Sequence, residues 1–334
     1  MKKYTVAVLG ATGIVGREML RVMQERNFPV GELIPLASSR SAGTVVSFGG
    51  RIIPVKDAQE ADFTGVDIVL GAAENEVSKA LATAIVEAGA VFIDNSSAFR
   101  LDPTVPLVVP QINPADVKKH KGIIANPNYT TTIVLTALAP LRNLAPVRSI
   151  WAATYQAVSG AGAGGLRELV EQVQLLGQGK PVQSTAFPHQ IAYNLIPQIG
   201  QNQLLGYTTE EMKLQFEGRK ILHDPDLQVS CTCVRVPVMR SHSIALSVGF
   251  DRVVQVEDAR KILAQAPGCI LMDDLPAGEY PMPLLASDQD MVMVGRLRPD
   301  LTDECRLSLF CCADQLRKGA ATNAVEIAQL LISD

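Results

Sequence analysis

The chain has 334 residues, 47% of them hydrophobic and 19% charged, with a formal net charge of -4. That length favours two domains, and that hydrophobic share fills substantial cores, which excludes a disordered chain. So small a charge excess sets up no global field for nucleic acid or an anionic membrane, and any anion has to be recognised locally.

The N-terminus, Met1-Lys2-Lys3-Tyr4, runs straight into a strand pattern without an apolar signal core. No stretch approaches the roughly 18 uninterrupted apolar residues of a membrane span, so a cytoplasmic protein is expected. Tyr4–Gly10 reads as a buried strand, Gly13–Arg26 as a helix and Leu33–Ala37 as a second strand. Val66–Ala72, Val91–Asp94 and Leu107–Val109 continue the strands, with a helix over Glu76–Ala88. Strands alternating with helices imply βαβ units and a parallel, doubly wound α/β sheet.

The character changes near residue 128. Strands are expected at Ser149–Val158, Val229–Pro237, Ile244–Phe250 and Met291–Leu297, and helices at Thr131–Ala139 and Leu166–Gln178. That order suits a mixed or antiparallel sheet with helices on one face. Residues 179–228, with several Pro, Gly and Asn, read as an irregular insertion, and Gln315–Ser333 as an amphipathic helix returning to the first domain. The expected division is residues 1–127 with 315–334, and residues 128–314. The six cysteines show no zinc spacing, so they read as reduced structural thiols, with no metal site.

Gly10-Ala11-Thr12-Gly13-Ile14-Val15-Gly16 ends the first strand and opens the first helix, the context in which a glycine motif binds a dinucleotide. The second strand ends in Ser38-Ser39-Arg40-Ser41, where an NAD site would carry an acid for the ribose 2′-hydroxyl. Three hydroxyls and a guanidinium suit a 2′-phosphate, so the cofactor is read as NADP. Further on, Arg235 lies in the apolar run Val234-Arg235-Val236-Pro237-Val238, where a cation is costly unless paired. Its planar fork suits a carboxylate, either of a substrate or of a structural acid. His242, in Ser241-His242-Ser243, is of a type that passes protons at neutral pH.

GATGIVG, LASSRSAG, DNSSAFR, VVPQIN, NPNYTT, YQAVSGAGAGG, EEMK and RVPVMRSHS occur in an order that closely resembles aspartate-semialdehyde dehydrogenases, from about residue 4 to about residue 330. The resemblance implies a Rossmann-type domain followed by an α+β catalytic and dimerisation domain. It implies NADPH-dependent reduction of β-aspartyl phosphate to the semialdehyde with release of phosphate, serving lysine, threonine and methionine biosynthesis, in a homodimer or homotetramer. It carries phosphate binding to Arg100 and Lys213, the substrate carboxylate to Arg235, the substrate amine to Glu210 and acid/base work to His242. Gln156 matches the residue that orients the acyl group, Asn128 lies in the substrate motif, and Ser159, Gly160 and Gln315 match positions near the nicotinamide.

At Tyr129 the chain departs from this pattern. The family has there a cysteine that becomes an acyl thioester, whereas a phenol with a pKa of about 10 is almost wholly protonated at neutral pH. Its oxygen also sits at the far end of a rigid ring. Three readings stay open: a dehydrogenase scaffold disabled at one residue, a non-catalytic NADP-binding homologue with a regulatory or assembly role, and a reductase using the Tyr129 hydroxyl as proton donor. The last lacks the lysine expected three to four residues on, where Thr132 and Ile133 stand. N-acetyl-glutamyl-phosphate reductase is a neighbouring enzyme reading that fits RVPVMRSHS and the SSRS loop less well.

Overall fold

A computed structural model describes residues 2–333. Its internal contacts form two units, one running to Asn128 and resuming at Ala320, the other Tyr129–Gly319. In the first unit β1 (Tyr4–Leu9) leads to α1 (Ile14–Glu25), β2 (Val30–Ala37), the hairpin β3 (Val45–Phe48) and β4 (Arg51–Pro54), and the short β5 (Lys56–Asp57). Next come β6 (Ile68–Gly71), α2 (Asn75–Glu87), β7 (Val91–Asp94) and β8 (Ile123–Ala125). The large sheet runs β5-β2-β1-β6-β7-β8 with every pair parallel. Alternate residues of β1 enter opposite cores: Val6 and Val8 pack with Met19 and Met23 of α1, whereas Ala7 and Leu9 pack with Ala82 and Ile85 of α2. Burial on both faces is why these strands read as continuous apolar runs. The expected strand Leu107–Val109 is reduced to a single parallel bridge from Leu107 to Ala125, on the side of β8 away from β7.

The second unit opens with α3 (Tyr129–Leu138), β9 (Val147–Gln156), α4 (Gly162–Gly177), α5 (Thr209–Ile221), β10 (Gln228–Arg235) and β11 (His242–Phe250). It continues through α6 (Val256–Ala264), β12 (Cys269–Leu271), α7 (Pro283–Ala286), β13 (Val292–Pro299) and β14 (Arg306–Ala313). The sheet order is β10-β9-β11-β14-β13-β12, parallel at its two outer pairs and antiparallel between. Along β9, Ile150, Ala152, Thr154 and Gln156 are buried while Trp151 and Tyr155 are exposed on the other face.

Two further expectations need correction. The span 179–228 is not wholly irregular, since α5 lies within it, opened by a capping box: Thr208 Oγ1 accepts from the Glu211 N–H at 3.3 Å and Glu211 Oε2 accepts from the Thr208 N–H at 2.7 Å. The C-terminal helix α8 spans Thr322–Ile332 rather than starting at Gln315; Arg317–Ala321 form a wider, π-type turn before it. Ala324, Val325 and Ile327 of α8 join the core of the first unit.

Candidate active site

In the first unit, Gly10 turns the chain at φ 82°, and a Cβ there would lie 2.5 Å from the Ala72 carbonyl oxygen. The chain can therefore pass from β1 into α1 at this point only with glycine. No side chain caps α1, whose N-cap is Gly13, so its first turn presents backbone N–H groups with Thr12, Ile14 and Val15 beside them. A cleft of about 380 Å³ adjoins the turn, lined by Leu9, Gly10, Ser38, Gln59, Val77 and Leu81 among others, a size ordinary for a small-molecule site of roughly 300–1,000 Å³. Ser38 and Arg40 stand exposed in the turn after β2, with Ser41 half-buried and its N–H bonded to the Ser38 carbonyl at 2.8 Å. At the carboxyl end of β7, the side-chain oxygen of buried Asn95 has no hydrogen-bond partner while its amide donates to the Gly71 carbonyl at 2.7 Å. A nucleotide-binding turn, an apolar cleft and an unfilled acceptor at the strand ends together fit a nicotinamide dinucleotide.

Arg100 is buried in the same unit and fixed by backbone oxygens. Its Nε donates to the Asn126 carbonyl at 2.9 Å and its Nη2 to the Asn95 carbonyl at 2.6 Å. A guanidinium held this way is oriented, which suits it to bind an anion.

The second unit builds its polar cluster from three neighbouring strand ends. Gln156 ends β9, Arg235 ends the parallel β10 opposite it, and His242 begins the antiparallel β11. Residues far apart in sequence therefore meet at one sheet end. α5 adds Glu210 and Lys213 from its first turns, and Glu211 Oε1 ties that helix to β10 by accepting from the Cys233 N–H at 3.0 Å. Gln156 Nε2 donates to Glu210 Oε1 at 3.3 Å, and Lys213 Nζ pairs with Glu210 Oε2 at 2.9 Å. Arg235 Nη1 donates to the Ala157 carbonyl at 2.6 Å. Burial lowers the pKa of its guanidinium, with Glu210 opposing. A Cβ on Gly160 would lie 2.6 Å from Arg235 Nη1 and 3.3 Å from the His242 ring, so only glycine lets both side chains pack here.

His242 is 2% exposed, and burial, reinforced by Arg235, pushes its pKa down to about 3. It is therefore a neutral imidazole at working pH, not the half-protonated one that the ordinary value near 6.5 suggests. Its Nδ1 accepts the backbone N–H of Ala157 at 3.1 Å, which leaves the proton of the neutral ring on Nε2. Gln315, completely buried, supports the approach to this histidine. Its Oε1 accepts from the Ser241 N–H at 2.9 Å and its Nε2 donates to Ser159 Oγ at 2.5 Å. Ser241 is held at φ 74°, in the left-handed region, immediately before His242.

The family model described as semialdehyde dehydrogenase, NAD binding domain, matches residues 5–120, and that of the semialdehyde dehydrogenase dimerisation domain matches residues 138–318. An aspartate-semialdehyde dehydrogenase of Aquifex aeolicus is 48% identical over 99% of this chain and 98% of its own length. The chain belongs to the aspartate-semialdehyde dehydrogenase family. The Bacillus subtilis aspartate-semialdehyde dehydrogenase is 46% identical over 98% of this chain and 96% of its own. A crystal structure of Vibrio cholerae aspartate semialdehyde dehydrogenase II complexed with ASA matches with a TM-score of 0.98 at 43% identity, covering 100% of this chain and 99% of that one. The Candida albicans enzyme with NADP shares the fold at a TM-score of 0.77 and 24% identity.

Within this aspartate-semialdehyde dehydrogenase fold, Tyr129 is the first residue of α3 and half-buried. A Cβ on Gly319 would lie 2.6 Å from Tyr129 Cβ, so the two backbones are in close contact. Thr130, next along, is 4% exposed and its hydroxyl has no hydrogen-bond partner. The buried thiols Cys233, Cys269, Cys311 and Cys312 are not suited to replace a nucleophile. Cys231 and Cys233 lie with sulfurs 3.7 Å apart, and that contact together with burial pushes the Cys233 thiol far up; burial likewise pushes Cys269 and Cys312 to about 12. Such thiols stay protonated and unreactive. Among the described residues no cluster of His, Cys, Asp or Glu is arranged to hold a metal ion, and no helix is long and apolar enough to cross a membrane.

Sequence reasoning missed Gln59, Val77 and Leu81 of the cleft and the Ala157 N–H that sets the histidine tautomer. The first three look like ordinary core or surface positions in sequence, and a backbone group has no residue-type signal. Thr208-Thr209-Glu210-Glu211 did carry a legible signal, the capping box that places Glu210 and Lys213 at a helix start.

Proposed function

We propose that this chain is an NADPH-binding aspartate-semialdehyde dehydrogenase scaffold for β-aspartyl phosphate and L-aspartate β-semialdehyde, whose covalent route is closed by Tyr129. The observation that carries this reading is the cluster at the strand ends, where Gln156 and Lys213 both donate to Glu210 at 3.3 and 2.9 Å, and the Ala157 backbone holds His242 through its N–H and Arg235 through its carbonyl. A buried guanidinium next to a carboxylate, an amide and a neutral imidazole is equipped to hold an α-amino acid by both of its charges.

Arg235 receives the carboxylate, Glu210 the ammonium and Lys213 the phosphoryl oxygens, and Gln156 orients the acyl carbonyl; Arg100 is the phosphate candidate of the first unit. His242 remains uncharged and offers its Nε2–H to the carbonyl oxygen as negative charge builds there, a donor whose strength comes from exclusion of water. The turn at Gly10, Thr12, Gly13, Ile14 and Val15, with Ser38, Arg40 and Ser41, would hold NADPH, whose chemistry would be to supply a hydride. The exposed guanidinium of Arg40, with Ser38 and Ser41, favours NADP over NAD. At position 129 the side chain is a phenol, whose oxygen lies a ring's length from where a cysteine sulfur would act.

The dimer of the family's second domain is assigned to the open face of the β9–β11–β14 sheet. There Trp151 is 53% exposed with the Arg306 guanidinium 3.8 Å from its ring centroid, and Tyr155 lies beside Phe310 at 6.3 Å. Exposed aromatic surface of that kind is characteristic of interfaces. The buried free thiols fit the cytoplasm.

The test is phosphate-dependent reduction of NADP by L-aspartate β-semialdehyde, run on this chain and on Tyr129→Cys. Turnover in the cysteine variant with silence in the parent supports the reading. Silence in both, with NADPH still bound, turns the assignment to a non-catalytic NADP-binding homologue. Comparable activity in the parent refutes the role given to position 129.

A further inference from the structure

The segment between α4 and α5 is mostly without regular structure, yet it is tied down by two buried side chains of α4. Glu168, 4% exposed, accepts the Thr185 N–H at 2.7 Å and the Thr185 hydroxyl at 2.9 Å, together with the Ala186 N–H. Gln172, 1% exposed, accepts the Ile191 and Ala192 N–H groups at 3.0 Å each and donates to the Gln183 carbonyl at 2.9 Å. Gln172 Nε2 also donates to Glu168 Oε1 at 3.1 Å, so the two anchors form one network. A buried carboxylate with three donors on one oxygen holds a loop rigidly, because releasing any of them strands charge in the interior.

What this anchoring delivers is the surroundings of Arg235. Ile196 brackets the Arg235 backbone in a two-bond antiparallel bridge, 3.0 Å and 2.9 Å. Phe187, which follows the Glu168 anchor by one residue, is 8% exposed and stands with its ring centroid 5.9 Å from the Arg235 guanidinium carbon. On the other flank Nη1 is taken by the Ala157 carbonyl, beside Gly160.

We propose that residues 180–196 are a carboxylate-site wall and that Phe187 is a positioning residue for Arg235. The ring and the Ala157 carbonyl fix the guanidinium plane, so that its remaining N–H edge meets a substrate carboxylate without first losing rotamer freedom. The ligand class is an α-amino acid presenting a free carboxylate. This rests on the reading of Arg235 as the carboxylate clamp and adds the residues that orient it.

The test uses calorimetric binding of L-aspartate β-semialdehyde and of 3-aminopropanal, which has the same amine and aldehyde but no carboxylate. Both are titrated into the NADPH-loaded chain, as it stands and with Tyr129→Ala. Phe187→Leu is expected to weaken L-aspartate β-semialdehyde by about five- to thirtyfold, the span from an exposed to a desolvated cation–π contact, and to leave 3-aminopropanal within about twofold. Phe187→Tyr, which keeps the ring, is expected to bind both ligands like its parent. Equal weakening of the two ligands by Phe187→Leu, or no weakening of either, overturns the positioning role. Arg235→Leu separates the two claims: if it weakens the carboxylate ligand and Phe187→Leu does not, only the wall is wrong. If Arg235→Leu changes nothing, or if no background binds L-aspartate β-semialdehyde, the carboxylate clamp itself fails and the wall with it.

Discussion

The backbone N–H of Ala157 points at Nδ1 of His242 from 3.1 Å. A main-chain amide cannot reverse its polarity, so Nδ1 is an acceptor and the neutral ring carries its proton on Nε2. The side-chain ¹⁵N spectrum is therefore expected to show one imidazole in the Nε2–H form throughout the neutral range, identified by its disappearance in His242→Gln. A resonance pattern of mixed tautomers, or an imidazolium at pH 6, would contradict the donor role assigned to this ring.

The same burial has a consequence for stability. The folded pKa of His242 is lowered to about 3, against about 6.5 in an unfolded chain. Below about pH 6.5 the unfolded state takes up a proton that the folded state refuses, so stability falls as pH drops from about 6.5 towards about 3. The slope attributable to this residue approaches ~1.4 kcal/mol per pH unit, one proton's worth. Asp94 and Asp314, whose pKa values burial raises, act in the opposite sense. Subtracting the His242→Gln unfolding curve from that of the parent at each pH isolates the histidine. A flat difference between pH 6.5 and 4 would show the ring to be solvated.

Gly160→Ala is expected to damage binding more than folding. The new methyl meets the end of a flexible arginine at 2.6 Å rather than backbone, and the His242 ring at 3.3 Å. Arg235 can swing away at a cost of about 1 kcal/mol in stability, at the low end for overpacking. Its fork is then misaligned, and affinity for L-aspartate β-semialdehyde should drop about tenfold or more, consistent with loss of a charge-assisted bidentate pair. Thermal unfolding and calorimetry on the same preparation check both parts.

Arg40 stands exposed in the turn after β2 with no acid at the end of that strand. Arg40→Ala should weaken NADPH by about ten- to a hundredfold through loss of a phosphate pair, and leave NADH nearly unchanged. Fluorescence titration of the two dinucleotides distinguishes this from general damage, which would weaken both.

Gln315→Leu removes the acceptor for the Ser241 N–H, a buried donor, and should cost about 1–3 kcal/mol. The left-handed Ser241 loses its restraint as well, so affinity at the strand-end cluster should fall along with the unfolding midpoint. An unchanged midpoint would mean that water or another acceptor replaces the amide.

Most of the first unit was legible because its local and global signals agree. The apolar runs of β1 and β6 and the glycine turn at Gly10 are properties of a few adjacent residues. Legibility failed at α5, whose polar first turns hid a helix that the Thr208–Glu211 box announces, and at Leu107–Val109, an apolar run that makes only one bridge, to the outer side of β8. The charged candidates Arg235, Glu210 and His242 were found through residue type and motif. Their partners were not, since Ala157 contributes only backbone groups and Phe187 resembles any core aromatic.

The sequence by itself determined the two-part α/β plan, the nucleotide-binding turn, the family and the tyrosine at position 129, all of which are written in neighbouring residues or in ordered motifs. Only the tertiary structure decided that Gln156, Arg235 and His242 share one sheet end, that the histidine is neutral with its proton on Nε2, and that residues 180–196 wall the arginine. Those outcomes depend on strand direction, register and burial. Each of these is settled by contacts between segments that are distant along the chain, and no local pattern encodes them.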